Sequence, residues 1–220
     1  MSEPEGEDPG RYQRQQGGRS PRFPGFDVLG QAGHWDQVTR DLVTGRLAGR
    51  PEMKFFGPGE TLCAGTLLNL LTGQQDDPAI PVLEMVDARL AAGETDGWRY
   101  HDMPEDGQAW RDTLGYLDED SRAGCGLPFA GAPEKDQLGV IQAVQDLGAD
   151  DWHGLNAAHV WSLWTRYACT ALYAHPLAWN EIGFSGPAYP RGYKNSGLDK
   201  LEPFEVRDAR PSGDPIREGA

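Results

Sequence analysis

Hydrophobic residues recur along most of the chain with the 3.6-residue period of an amphipathic helix. Glycine or proline follows the apolar stretches, as is common where helices end. The pattern predicts about six helices. Their approximate ranges are residues 36–47, 59–72, 83–90, 104–117, 140–147 and 156–175.

The last of these helices has the strongest pattern. Asn156 is a natural N-cap, and an apolar stripe follows it from Val160 to Leu172. Pro176 cannot continue the helix, so we expect His175 to lie at its C-terminus and bond to the last carbonyls. Because four of the seven tryptophans lie near this helix, we predict that it is the central helix of the core.

Strand signals are nearly absent, apart from residues 204–206. The predicted fold is all-α, a small irregular helical bundle with a long non-helical C-terminal wrap. Residues 1–22 are too polar to form a core and are predicted to be a disordered tail. A docking arm and short helix follow at 23–50, a helical core at 51–176, an aromatic, glycine- and proline-rich loop and wrap at 177–206, and a tail at 207–220.

The formal net charge is −14, and residues 94–120 alone hold nine acidic and two basic residues. Such a surface repels phosphate backbones and anionic lipid headgroups, so nucleic-acid and membrane-surface binding are disfavoured. The acidic stretch is explained either by a solvated face or by a surface complementary to a basic partner.

Targeting signals are not evident. Residues 1–10 are polar and acidic, unlike a signal peptide, and the sequence contains no adjacent arginine pair. No stretch approaches the roughly 20 apolar residues of a membrane span. We therefore expect a cytoplasmic protein, with a periplasmic or extracellular location only if a partner carries it across the membrane.

The sequence offers no clear catalytic or cofactor motif. No glycine-rich turn follows a strand, Ser185 lies in no nucleophile elbow, and the histidines lack metal-ligand spacing. Cys63 and Cys169 are predicted to be buried in helices. Cys125, between two glycines, is predicted to lie in a loop as the one exposed thiol. We expect no cofactor in this chain.

Residues 175–193, which we call the signature segment, combine aromatic residues, glycine, proline and an Asn-Glu pair. Prolines break any long helix there, and glycines permit tight turns. Large apolar anchors in a rigid loop suit a partner's groove, but they equally suit a loop that covers its own core. The same two possibilities hold for the arm at residues 22–29, which carries Phe23 and Phe26.

The segment's sequence, H-P-x-x-W-N-E-I-G-F-x-G-P-A-Y-P-R-G-Y, resembles the signature of the gluconate 2-dehydrogenase subunit 3 family. Phe55-Phe56, the stretch at 86–91 and the closing Leu-Glu-Pro-Phe-Glu at 201–205 also resemble the family, and the similarity spans about residues 50–206.

This resemblance implies a non-catalytic small subunit. It would bind and stabilise a large FAD-containing sugar or alcohol dehydrogenase subunit of the glucose-methanol-choline type, with a cytochrome c subunit besides in many members. The FAD would belong to the large subunit. The residues that we assign to the partner interface are His175, Trp179, Asn180, Glu181, Phe184, Tyr189, Arg191, Tyr193, Phe23 and Phe26.

Two alternatives remain open at this stage. The chain could be a dissociable assembly or export chaperone for the flavoprotein. It could instead be an independent metal-dependent enzyme, with His175 and Glu181 among the ligands.

Overall fold

The fold is that of a computed structural model, which describes residues 22–75, 79–195, 197 and 200–213. Seven α-helices and two 3₁₀ helices make up the regular structure of these residues. They are a 3₁₀ helix at Val28–His34, α1 at Gln37–Gly45, α2 at Pro58–Thr72, α3 at Val82–Ala91, α4 at Asp106–Cys125, a second 3₁₀ helix at Phe129–Gly131, α5 at Glu134–Asp146, α6 at Ala157–Ala174 and α7 at Pro176–Ile182.

The only strands in the described part of the chain are two short ones, β1 at Asp151–Trp152 and β2 at Leu155–Asn156, paired antiparallel. This confirms the predicted all-α fold. Residues 204–206 form no strand. The predicted wrap begins later than expected, because α7 is helical. The N-terminal tail predicted at residues 1–22 lies outside the described residues except for Arg22, which pairs with Asp208.

The chain divides into two compact units. The core unit is Arg50–Leu172, and the terminal unit joins Met1–Gly49 to Tyr173–Ala220. The terminal unit therefore brings together described residues from the first and last quarters of the sequence, and it contains the whole signature segment.

Local sequence explains where the helices begin and end. Asp36 caps α1 by accepting a hydrogen bond from the Thr39 N–H at 2.9 Å. At the start of α2, Pro58 occupies the first turn and Glu60 accepts from the Gly57 N–H at 2.8 Å. Gly73 ends α2 in the left-handed conformation, with φ of 63°. These boundaries agree with the predicted ones to within a residue or two.

In the core unit, α2 packs against α3 and α4, and α5 packs against α4. Trp110, Trp164 and Tyr167 are fully buried. The Trp164 indole N–H donates to the Thr113 hydroxyl at 3.1 Å, and the Tyr167 hydroxyl donates to Asp106 at 2.7 Å. These two hydrogen bonds satisfy the buried polar atoms of Trp164 and Tyr167, whereas the buried Trp110 indole N–H has no partner among the described residues.

Two of the three cysteines differ from the prediction. Cys63 is buried as expected, and burial raises the pKa of its thiol to about 12. Cys169 is exposed, because it lies about 100° round α6 from the buried Ala168. Cys125 is only partly exposed, and it is the last residue of α4 rather than part of a loop, since the left-handed residue that ends the helix is Gly126.

No helix in residues 22–75, 79–195, 197 and 200–213 is both long and apolar enough to cross a membrane.

Candidate partner-binding segment

The signature segment starts with a helix cap. His175 is the N-cap of α7, and its Nδ1 accepts a hydrogen bond from the Leu177 N–H at 3.3 Å. Pro176 follows at the first helical position, where a missing N–H costs nothing. Gly183 ends α7 in the left-handed conformation, with φ of 68°. The segment is thus a two-turn helix followed by an irregular stretch.

The predicted role of His175 at the end of α6 was wrong. The carbonyl of Ala174, the last residue of α6, accepts from Arg46 Nη1 at 2.6 Å. His175 instead begins the next helix, because Pro176 and the residues after it resume helical geometry at once. Burial lowers the pKa of His175 below its ordinary value of 6.5, while a hydrogen bond to the Arg46 backbone acts in the opposite direction.

One face of α7 is buried within the terminal unit. Trp179 is 5% exposed and lies in a small core with Val28, Trp35 and Val43. The Trp179 indole N–H donates to the Tyr173 carbonyl at 2.7 Å. Its ring contacts that of Phe184 edge to face, with centroids 5.2 Å apart. Trp179 therefore fixes the segment to the unit from the inside.

Asn180 connects the segment to the N-terminal arm. Its Oδ1 accepts from the Val28 N–H at 2.8 Å, at the start of the first 3₁₀ helix. Asp27 caps the same helix by accepting from the Leu29 N–H at 3.0 Å. The bond between Val28 and Asn180 joins residues 152 positions apart in sequence and ties the arm to the segment within one unit.

Two glycines allow close approach between the arm and the segment. Gly183 lies against the ring of Phe23, and a Cβ at Gly183 would come within 2.4 Å of it. A Cβ at Gly186 would come within 2.5 Å of Trp35. Both residues have positive φ, so glycine is required there for conformation as well as for space.

After Gly186 the chain runs along the surface. The Tyr189–Pro190 peptide bond is cis. Arg191 donates to Gln31 Oε1 at 2.9 Å, and its guanidinium stacks on the Phe204 ring, 3.9 Å from the centroid. The buried Glu202 carboxylate accepts from the backbone N–H groups of Lys194 and Asn195.

The outer face of the segment carries large exposed side chains. Tyr189 is 65% exposed, Tyr193 63%, Ile182 48% and Phe184 40%. Inward residues such as Trp179 and Asn180 fix the position of the backbone that carries these exposed side chains. The segment thus has a fixed inner face and an apolar, aromatic outer face.

The structure brings together all ten residues assigned to the interface from sequence, in one unit, but it gives them different surroundings. His175 and Trp179 are buried; Tyr189, Tyr193 and Phe184 are exposed; Phe23, Phe26, Asn180, Glu181 and Arg191 are partly exposed. Their role at an interface stays a prediction. Sequence reasoning did not single out Trp35, whose ring lies against Gly186, or Glu202, whose signal was the Leu-Glu-Pro-Phe-Glu stretch.

Within the described residues, no group of three or more His, Cys, Asp or Glu side chains is placed to hold a metal ion. The Nδ1 atom of His175 is already engaged with a backbone N–H. The arrangement around His175 and Glu181 therefore gives the metal-dependent hypothesis no support.

The fold and the segment define a helical protein in which described residues from the ranges 22–49 and 173–213 build a compact unit with an aromatic outer face. The family model for gluconate 2-dehydrogenase subunit 3 matches residues 64–186, more than half of the chain, and the chain belongs to that family. This confirms the family predicted from the signature residues, although the match ends at the glycine that precedes Tyr189 and Tyr193. No curated protein and no solved structure matches the chain.

The side-chain environment of His175 makes the stability of the terminal unit dependent on pH. Because the pKa of His175 is lowered in the folded state, the unfolded state binds more protons as pH falls below 6.5. Its contribution to stability is thus present above pH 6.5 and is lost as pH falls through the folded pKa. The variant His175→Asn keeps a capping acceptor without a titrating ring. Its free energy of unfolding should therefore depend less on pH than that of the wild type.

The measurement is urea denaturation at about pH 7.5, 6.5 and 5.5, at constant ionic strength. Wild type and His175→Asn contain the same carboxylates. The difference between their slopes of unfolding free energy against pH therefore reports the contribution of His175. Leu138→Ala, at an exposed position in the core unit, is the control and should retain the wild-type slope. Equal slopes for wild type and His175→Asn would contradict the assignment.

Proposed function

We propose that this chain is the non-catalytic small subunit of a dehydrogenase complex, and that it binds and stabilises a large FAD-containing subunit of the glucose-methanol-choline type. The FAD and the oxidation of a sugar or alcohol hydroxyl belong to the large subunit. The observation that carries the proposal is the exposed aromatic face of the signature segment, in a chain that belongs to the gluconate 2-dehydrogenase subunit 3 family.

A rigid aromatic face is suited to docking for energetic reasons. Tyrosine side chains bury a large area on binding and lose little rotamer entropy, so they are common among the residues that dominate interface energies. The Trp179 and Asn180 hydrogen bonds fix the backbone beneath this face before any partner arrives. Such preorganisation reduces the ordering cost of association.

The same geometry divides the predicted interface residues into two kinds. His175 and Trp179 lie inside the unit, so their replacement would disturb its folding and would not report on docking alone. Tyr189 and Tyr193 are each more than half exposed, although the Tyr193 ring also lies 5.9 Å from that of Phe204. These two tyrosines are therefore the informative probes of the interface.

We expect Tyr189→Ala and Tyr193→Ala each to weaken binding of the large subunit by about 1–2 kcal/mol, or roughly tenfold. The chain is co-expressed with the large subunit in the native host and purified by affinity, and the flavin absorbance of the eluate reports the complex. Circular dichroism of each variant should match wild type. Leu138→Ala, an exposed apolar residue on α5, is the control and should leave the yield unchanged.

The outcome that would contradict the proposal is a chain that purifies alone, or two tyrosine variants that retain flavoprotein as wild type does. An active, flavin-loaded large subunit from which this chain is absent would instead indicate a dissociable assembly factor. Gel filtration of the active fraction distinguishes the two cases, because a permanent subunit stays at constant stoichiometry.

A further inference from the structure

The connection between α3 and α4 carries an exposed tryptophan. Residues 94–105, which we call the strap, contain no helix or strand and belong to the core unit. Trp98 is 49% exposed there, whereas five of the other six tryptophans of the chain are buried. An indole carries a large apolar area, and exposed tryptophans are frequent among the residues that dominate interface energies. Trp98 is therefore a candidate anchor for a partner.

An ion-pair network fixes the strap on the N-terminal side of Trp98. The Asp96 carboxylate pairs with Arg89 of α3 and with Arg166 of α6. Both arginine side chains are only 18% exposed, so salt screens these pairs less than it screens pairs on an open surface. The Arg166 guanidinium also lies over the Trp98 ring, 5.0 Å from its centroid. The same arginine thus positions both the strap backbone and the indole.

A second attachment follows Trp98 in the sequence. The Tyr100 ring stacks on the imidazole of His159 in α6, with centroids 3.6 Å apart and planes 7° apart. The same imidazole lies with its Nδ1 2.9 Å from Asp102 Oδ1. Tyr100 in turn meets the Trp98 ring edge to face, at 5.3 Å. Because Trp98 is held from both sides, it would lose little conformational entropy when a partner covers it.

The charge of the strap specifies the chemistry of that partner. The strap contains four acidic residues and one arginine. Asp96 and Glu105 are paired with arginines of this chain, but Glu94 and Asp102 have no arginine or lysine partner among the described residues. Each of these two exposed carboxylates lies four positions from Trp98. An indole between two carboxylates suits a lysine or arginine, whose apolar stem packs on a ring while its charge meets an acid.

We propose that the strap is a second docking surface for the large subunit, and that it receives an arginine- or lysine-bearing segment of that subunit on Trp98, between Glu94 and Asp102. This inference rests on the proposed function, since it takes the large subunit as the partner. The strap differs in chemistry from the apolar outer face of the signature segment. Charge complementarity of this kind steers association and selects the partner, and it weakens as salt rises.

The test uses the complex of the full chain with the flavin-loaded large subunit, co-expressed and held on an affinity resin through this chain. Flavin absorbance released over time gives the dissociation rate of the large subunit. Trp98→Ala should raise this rate about tenfold at a salt concentration of about 0.15 M. Leu62→Ala, which removes a 67% exposed side chain from α2 of the same unit, is the control and should dissociate as wild type.

The double variant Glu94→Gln with Asp102→Asn tests the charge. It should dissociate about three- to tenfold faster than wild type at about 0.05 M salt and at nearly the wild-type rate at about 0.5 M, because salt screens exposed charges. Glu134→Gln with Asp150→Asn removes two exposed acids elsewhere in the core unit and should keep the wild-type rate at both salt concentrations. Thermal melting establishes that each variant is folded.

Wild-type dissociation by folded Trp98→Ala would overturn the inference, as would equal effects of the two double variants at low salt. If Trp98→Ala is unfolded, the double variants alone decide. The proposed function has its own readout, because Tyr189→Ala should lose flavoprotein whether or not the strap takes part. Loss in Tyr189→Ala with wild-type behaviour of the strap variants would overturn the strap alone, and a wild-type chain that captures no flavoprotein would overturn both.

Discussion

Replacement of Asp87 by alanine is expected to lower the free energy of unfolding by about 3–5 kcal/mol. Asp87 lies on α3 and is completely buried. Its carboxylate accepts hydrogen bonds from the backbone N–H groups of Lys54, Phe55 and Phe56, at 2.6, 3.0 and 2.8 Å. Alanine would leave these three donors without an acceptor and would also open a void beside α3.

The three N–H groups belong to the stretch that leads into α2, so the carboxylate fixes where that helix enters the core unit. Phe56 is buried there, with its ring 6.0 Å from that of Trp110. Loss of the carboxylate should therefore loosen the contact between α2, α3 and α4 as well as remove hydrogen bonds. Asp87→Asn keeps one acceptor oxygen and should give an intermediate loss.

The effect is measured by urea denaturation of the full chain, followed by circular dichroism. Glu84→Gln is the matched control, because Glu84 lies on the same helix and pairs with Arg50 at 2.9 Å near the surface. A surface pair of this kind contributes at most about 1 kcal/mol. If Asp87→Ala lowered the free energy of unfolding by no more than this control does, the buried carboxylate would not fix the position of the stretch that leads into α2.

The helices were predictable because their signals are local. Period, caps and stop residues all lie within a few positions of one another, as at Asn156, which caps α6 by accepting from the His159 N–H at 3.2 Å. The errors arose where a local pattern permits two outcomes. A proline after an apolar helix ends it, but it also begins a new one equally well, and Pro176 does both.

The site was predictable in part. The unusual composition of the signature segment identified the residues, and the structure places them in one unit with the N-terminal arm. Which of them face inward was not predictable, because this depends on partners far away in sequence. Asn180 pairs with Val28 and Arg191 with Gln31, across 152 and 160 positions. Nothing in the local pattern specifies such pairs.

These long-range contacts show that part of the segment covers its own core, while docking by the outward residues stays a prediction. The segment covers its own core with Trp179, whose indole is bonded to Tyr173, and presents other aromatic side chains outward. Self-coverage therefore applies to the inward residues, and the docking proposal concerns only the outward ones. Inward residues should respond to mutation through stability, and outward residues should respond through binding.

Gly186→Ala is the sharpest test of the inward contacts, and it is expected to destabilise the terminal unit by about 2–5 kcal/mol. A Cβ at this position would lie 2.5 Å from Trp35 Cζ2 and 3.2 Å from Val28. Both neighbours are buried, at 3% and 0% exposure, so neither can move aside without disturbing the small core around Trp179. Overpacking of this kind costs about 1–3 kcal/mol. The φ of +76° adds about 1–2 kcal/mol for any L side chain.

Gly192→Ala separates the two contributions. Gly192 has a similar φ of +69°, but a Cβ there would meet no atom within 4 Å, so this variant should show the conformational cost alone. Hydrogen exchange of the Val28 N–H, which is bonded to Asn180, reports opening of the terminal unit directly. Protection should fall much more in Gly186→Ala than in Gly192→Ala. Equal losses in the two variants would mean that the contact between Gly186 and Trp35 does not hold the segment to the arm, and that the outer aromatic face lacks the rigid support on which the docking proposal depends.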